Sequence, residues 1–220
     1  YANYEDNMKF CEEMIRYIAK KILNKKQIAY EKNVLDFGKK FMKLNMLEAL
    51  QKHAKINAGR LNLNQLKDLL KKHSIEYDKD ISWGSAVALL FEELVEDKLV
   101  QPTIIYDYPA ETSPLAKISE KDPRFVERFE LYINGWEIAN SYSELNDPKI
   151  LRKNWEEQEK KAKKGYLEAQ RMDHDFIRAL EVGMPPTSGL GIGIDRLVMC
   201  LTGAPSIKDV IFFPFMKPEQ

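Results

Sequence analysis

Glu130 and Glu137 stand on either side of Asn134-Gly135. Asn-Gly between two runs of strand formers, Glu127–Ile133 and Trp136–Tyr142, is a strong hairpin signal, because both central residues of the tight turn need positive φ. A two-residue turn pairs Ile133 with Trp136, Tyr132 with Glu137 and Glu130 with Ala139. The two acids then share a face as diagonal neighbours, about 7–8 Å apart at the backbone. Carboxylates that close can share a hard, oxygen-seeking cation such as Mg2+. They can equally be two solvated acids on an exposed sheet, and the hairpin alone leaves both readings open.

A second constellation is Gly189-Leu190-Gly191-Ile192-Gly193-Ile194-Asp195-Arg196. Alternate glycines strip one face of a strand of side chains, while Leu190, Ile192 and Ile194 fill the core on the other. A bare strip admits a flat ligand or a second backbone. Asp195 then caps a helix and puts the Arg196 guanidinium at the strand-to-helix junction, where its planar fork suits phosphate. Simple tight packing of strand on helix is the other reading. The spacing is not a dinucleotide fingerprint, since the third glycine comes one residue early, and the G-K-[ST] of a P-loop is absent.

The elements that must carry these residues are legible in outline. Met8, Cys11, Ile15, Ile18 and Ile22 recur at helical spacing and predict an amphipathic helix over 5–24. Short strands follow at Gln27–Tyr30 and Val34–Phe37. Three short helices are predicted within 45–98, the first opened by a capping box of Asn45 and Glu48. His53 and His73 read as solvated helix-end residues. Thr103–Tyr106 is a buried strand. Asp147-Pro148 starts a charged helix to about Lys164, interrupted by Gly165, with the Lys160–Lys164 run as a solvated face. A further helix spans Asp173 to Val182, with Asp173, His174 and Asp175 serving as cap rather than ligand cluster. The chain then reads strand (Ser188–Ile194), helix (Asp195–Thr202) and short strand (Val210–Phe213).

The bulk numbers narrow the class. Hydrophobic residues make up 44% and charged residues 31% of 220, as in an ordinary globular domain. No apolar run approaches the ~18 residues of a membrane span. Basic and acidic residues balance at 34 each, so RNA, if it is a partner, must be held by a local surface or another domain. Cys11 and Cys200 lie far apart on apolar helix faces, where each behaves as a small hydrophobe in keeping with a reducing cytoplasm.

The stretch Gly189–Arg196, continued by Leu197-Val198-Met199 and Ile207–Pro214, resembles motif 3 of class II aminoacyl-tRNA synthetases. Pro185–Leu197, Gln101–Glu111, Glu137–Asn140 and Ser143–Pro148 are similar to the lysyl-specific members. Tyr1–Asp6 resembles the segment just after motif 2. Two departures stand out: Tyr142 where the family often has phenylalanine, and Trp136 where it often has arginine.

The resemblance implies an α+β fold, an antiparallel sheet flanked by helices, with a helical insertion over about 40–98. The chain would be the C-terminal part of the catalytic domain. Lysine would be activated by ATP and passed to tRNA(Lys), in a cytoplasmic homodimer formed through motif 1. Glu130 and Glu137 match the acidic pair holding Mg2+ on the ATP phosphates. Arg196 matches the arginine against adenine and the terminal phosphate, beside Gly189, Gly191 and Gly193 of the ATP site. Asn140, Tyr142 and Glu144 match the lysine pocket, with Glu144 facing the ε-ammonium. Motifs 1 and 2 would lie upstream, so these residues alone are not expected to aminoacylate. The alternatives are a synthetase-like lysyltransferase acting on elongation factor P and a non-catalytic paralogue serving as a binding module.

One geometric condition follows. Strict alternation puts Asn140, Tyr142 and Glu144 on the opposite face from Glu137. A single site therefore requires a β-bulge or twist between 137 and 140.

Overall fold

The computed structural model describes residues 1–163 and 172–214. Helix α1 (Tyr4–Tyr17) opens with a capping box between Asn3 and Asp6, and runs on into a π-helical turn at Ile18–Ile22. Its stripe of Tyr4, Met8, Cys11 and Ile15 is buried, as helical spacing demands. A small hairpin of β1 (Gln27–Tyr30) and β2 (Asn33–Asp36) follows, then β3 (Met42–Asn45). The helices α2 (Met46–Ala54), α3 (Leu63–Lys72) and α4 (Trp83–Leu94) come next; Asn45 and Asn62 each close a capping box, with Glu48 and Gln65.

The rest of the sheet is β4 (Thr103–Pro109), β5 (Phe125–Ile133), β6 (Trp136–Ser143) and β7 (Ser188–Ile192). Between β6 and β7 lie α5 (Pro148–Lys163) and α6 (His174–Val182), and α7 (Ile194–Thr202) follows β7. Asp173 caps α6 by accepting from the amides of Asp175 and Phe176. Gly165 and Lys164 lie outside the described residues.

The main sheet has the order β3-β4-β5-β6-β7. Its β4–β5, β5–β6 and β6–β7 pairs are antiparallel, but β3 runs parallel to β4. The expected antiparallel sheet is thus mixed at one edge. A parallel pair needs a long crossover, and α2–α4 provide it. These helices pack Leu50, Leu66, Leu70, Leu90 and Phe91 against Ile105, Tyr108, Val126 and Tyr132 of the sheet. Burying each such side chain is worth about 1.5–3 kcal/mol.

The opposite sheet face is sealed by α1, the β1–β2 hairpin and α7, packed on Ile104, Phe129, Leu131, Ile133 and Ile138. Cys11 and Cys200 are fully buried there, and burial pushes both thiols up to about 12. A third, small core of Leu145, Leu151, Trp155, Ile177 and Leu180 joins α5 to α6.

Three local expectations are corrected. Val210–Phe213 forms no strand: Phe212 and Phe213 are exposed, and the backbone there makes only a 3-10 turn at Ile207–Asp209. The N-cap of α7 is Gly193 rather than Asp195, which sits in the first turn. His53 is not solvated; its Nε2 is buried with no partner among the described residues, and burial lowers its pKa.

Candidate active site

The hairpin turn is as read: Asn134 and Gly135 both have positive φ, at 56° and 75°. A side chain on Gly135 would stand 3.2 Å from the Cα of Asp97, so the turn also needs glycine for space. Ile133 pairs with Trp136 and Tyr132 with Glu137, but Leu131 then pairs with Ala139 and Glu130 with Asn140. Ile138 is therefore an extra residue on β6, and the expected Glu130–Ala139 pairing is displaced by one. This is the bulge that the shared site required. Beyond it, Asn140 stands opposite Glu130 and Tyr142 opposite Arg128, so alternation brings Glu130, Glu137, Asn140, Tyr142 and Glu144 onto one face. That face is covered by the α2–α4 unit over β4 and the near half of β5, and left open towards β7.

Glu130 is almost fully buried, with 6% of its surface exposed. Its Oε2 accepts from the hydroxyls of Tyr108 at 2.7 Å and Tyr132 at 2.5 Å, and its Oε1 accepts from Arg128 Nη2. The Arg128 guanidinium lies 4.6 Å from the Tyr108 ring centre, a cation–π contact. Three donors from the surrounding fold thus satisfy most of the acceptor capacity of this buried carboxylate. Glu137 is half-buried. Burial raises its pKa, and the Glu130 charge adds to this, while Arg128 and Arg196 oppose it.

Tyr132 also contacts Glu96 Oε1 at 2.9 Å. A phenol has one proton, so Tyr132 donates to Glu130 or to Glu96 but not to both at once. Burial raises Glu96 to about 7; the Tyr132 hydroxyl opposes the shift, and the charges of Glu130, Glu92 and Glu137 reinforce it.

At the other end, Glu144 is half-buried and its pKa is raised by burial. No side chain or amide among the described residues donates to its carboxylate, though its amide is held by Thr187 O at 2.8 Å. Across the strand, a Cβ on Gly189 would stand 2.6 Å from Glu144 Oε1. The missing side chain at 189 is what leaves the carboxylate its place. Gly191 and Gly193 are less constrained, with nearest contacts of 3.7 and 3.6 Å to backbone oxygens. Leu190 and Ile192 pack into the core behind. From that side, Asn7 Nδ2 ties β6 to β7 through Ser141 Oγ and Ser188 Oγ, each at 2.9 Å.

Arg196 is exposed and donates from Nη1 to the carbonyl of Glu137 at 2.9 Å. It borders a cleft of about 380 Å³ together with Glu137, Asn140, Gly191 and Gly193. Thus the cleft joins the hairpin and glycine constellations through a backbone contact. For Mg2+, the donor chemistry fits. Two carboxylates share a face, and one is raised in pKa partly by the other, a repulsion that a divalent cation relieves. No cluster of three acidic, His or Cys ligands exists among the described residues, so phosphate oxygens and water would complete the shell.

The family model for class II tRNA synthetases (D, K and N) matches residues 1–217. The chain belongs to that family. It is 48% identical along its whole length to lysine–tRNA ligase 2 of Methanosarcina acetivorans and 47% identical to that of Methanosarcina mazei, covering 43% of each. It is 46% identical to the lysine–tRNA ligase of Bacillus mycoides, covering 44% of that protein. The chain thus spans less than half the length of these relatives. The α+β catalytic fold expected of a class II synthetase is present, with its mixed sheet flanked by helices.

Four participants escaped the sequence reading: Arg128, Tyr108, Tyr132 and Glu96. Arg128 and Tyr132 had a signal, since each lies two residues from Glu130 on the same strand and must share its face. Tyr108 and Glu96 had none; they reach Glu130 and Tyr132 only through tertiary packing.

Proposed function

We propose that this chain forms the lysine- and ATP-handling face of a lysine–tRNA ligase. The observation that carries the reading is Glu144, a half-buried carboxylate without a donor among the described residues, in line with Asn140 and Tyr142. An ammonium at the end of an apolar chain supplies the missing donor. A charge-assisted hydrogen bond of that kind is worth about 1.5–3 kcal/mol. Tyr142 offers a ring to the substrate's methylenes. Among the amino acids of the family's D, K and N members, aspartate would meet Glu144 with like charge, and asparagine is too short and neutral to pair with it. The names of the relatives support the same choice.

The reaction is attack of the lysine carboxylate on the α-phosphorus of ATP, releasing pyrophosphate and forming lysyl-adenylate. The lysyl group then passes to the 3′ end of tRNA(Lys). The residues here work by position and charge rather than as nucleophiles. Arg196, exposed at the cleft, receives the nucleotide's phosphates, and Gly191 and Gly193 leave room beside it, while Gly189 makes room for Glu144. Glu130 and Glu137 would hold Mg2+, which neutralises phosphate charge when bound. Transfer to tRNA, assembly as a homodimer, a cytoplasmic setting and a C-terminal place in the catalytic domain belong to the same proposal.

Amino-acid-dependent ATP–pyrophosphate exchange by the complete gene product tests it. Exchange with lysine, and not with aspartate or asparagine, is expected. Exchange with either of the others overturns the pocket assignment, and no exchange at all overturns the catalytic reading.

A further inference from the structure

Arg128 is 18% exposed at its side chain, and it is not spent on one carboxylate. Its Nη2 donates to Glu130 Oε1, its Nε to Asn140 Oδ1 at 3.2 Å and its Nη1 to Ser113 Oγ at 2.8 Å. The three partners come from β5, β6 and the loop after β4. The guanidinium thus spans the metal-binding and amino-acid ends of the face proposed above. We propose that Arg128 is a positioning residue that fixes Glu130 and Asn140 against each other, setting the geometry of both subsites at once.

Donors and acceptors fix the orientation of both partners. Arginine only donates, so the Asn140 atom facing it must be the carbonyl oxygen. The amide NH2 of Asn140 then points away from Arg128 and is offered to a ligand as a donor. Without Arg128, Asn140 is free to turn over and present an acceptor instead. On the other side, Glu130 Oε2 already accepts two phenol protons, which leaves Oε1 as the oxygen with spare acceptor capacity. Arg128 sets the direction of that oxygen too. Three of its five N–H groups are thus engaged, and these three bonds from Nε, Nη1 and Nη2 fix the plane of the guanidinium. Lysine cannot replace it, because one ammonium on a flexible stem lacks the planar fork that reaches three fixed acceptors.

The proposal rests on the reading of this face as the site of lysine activation, so its test separates the two. In the full-length protein, Arg128→Met and Arg128→Lys are compared with wild type in lysine-dependent exchange. Two quantities are read: the KM for lysine and the Mg2+ concentration giving half-maximal rate. Arg128→Met is expected to raise each about tenfold, the factor that about 1.4 kcal/mol represents. Arg128→Lys is expected to recover most of the Mg2+ dependence, because charge beside Glu130 is restored, but to leave the lysine KM raised. Recovery of both by lysine overturns the three-way role. So does a fall in kcat and melting temperature in Arg128→Met with both readouts unmoved, which marks a merely structural residue. A second measurement needs no activity: the melting temperatures of Arg128→Met, Asn140→Ala and the double variant. The tie predicts that the double variant loses clearly less than the sum of the singles; additive losses overturn it. Wild-type protein inert in exchange would count against the proposed function alone.

Discussion

The two ends of the candidate site treat a carboxylate in opposite ways. Glu130, at one end, accepts from two tyrosines and an arginine and is sealed from solvent. Glu144, at the other, is half-buried with no donor among the described residues and the bare Gly189 beside its carboxylate. The first carboxylate is fixed in place by three donors of the fold, with acceptor capacity left only on Oε1. The second is incomplete without a ligand. An acid left in that state costs stability, and the cost is recovered only when a cation enters.

This contrast can be broken from either side. Removing charge at the sealed end has the largest effect. Glu130→Gln strands Arg128 in a nearly buried position and should lower stability by about 3 kcal/mol, the range seen when one partner of a buried pair is removed; denaturant melts check it. Glu144→Gln should do the reverse, leaving the melting temperature unchanged or raised. Its kcat/KM for lysine in pyrophosphate exchange should fall roughly 10–100-fold, as loss of a charged hydrogen bond implies. Gly189→Ala should push the Glu144 carboxylate aside, raising the KM for lysine by several-fold (about 1 kcal/mol) with the KM for ATP unmoved. The smallest effect sharpens the sealed end. Glu96 is raised to about 7 from 4.5, so the folded state holds its proton more tightly than the unfolded chain. That contribution is full below pH 4.5 and is lost as pH rises to about 7. Glu96→Gln should flatten this part of the stability–pH curve.

How much of this was legible depended on the range of the interaction. The hairpin followed from Asn134-Gly135, because its turn demands positive φ locally. The bulge at Ile138 was expected somewhere between 137 and 140, because five polar residues could not otherwise share one face. Strand β3 left no trace: Met42–Asn45 is four residues long, largely open to solvent and without alternation, and only the crossover through α2–α4 seats it beside β4. The run Val210–Phe213 misled in the other direction, since its β-formers have no neighbouring strand among the described residues. Asp195 resembles a cap by residue type, yet the cap of α7 lies two residues earlier at Gly193, whose amide donates to Ile138 O at the bulge. The contacts of Tyr108 and Glu96 with Glu130 and Tyr132 span 22 and 36 residues; periodicity has no reach over such separations.

Whether Glu144 reads an ammonium is tested most directly by one comparison. In pyrophosphate exchange by the complete protein, kcat/KM is measured for lysine and for norleucine, which lacks only the terminal amine, in wild type and Glu144→Gln. A site built around this charged hydrogen bond should reject norleucine by roughly 10–100-fold, and Glu144→Gln should collapse that ratio. An unchanged ratio in the variant would contradict the account.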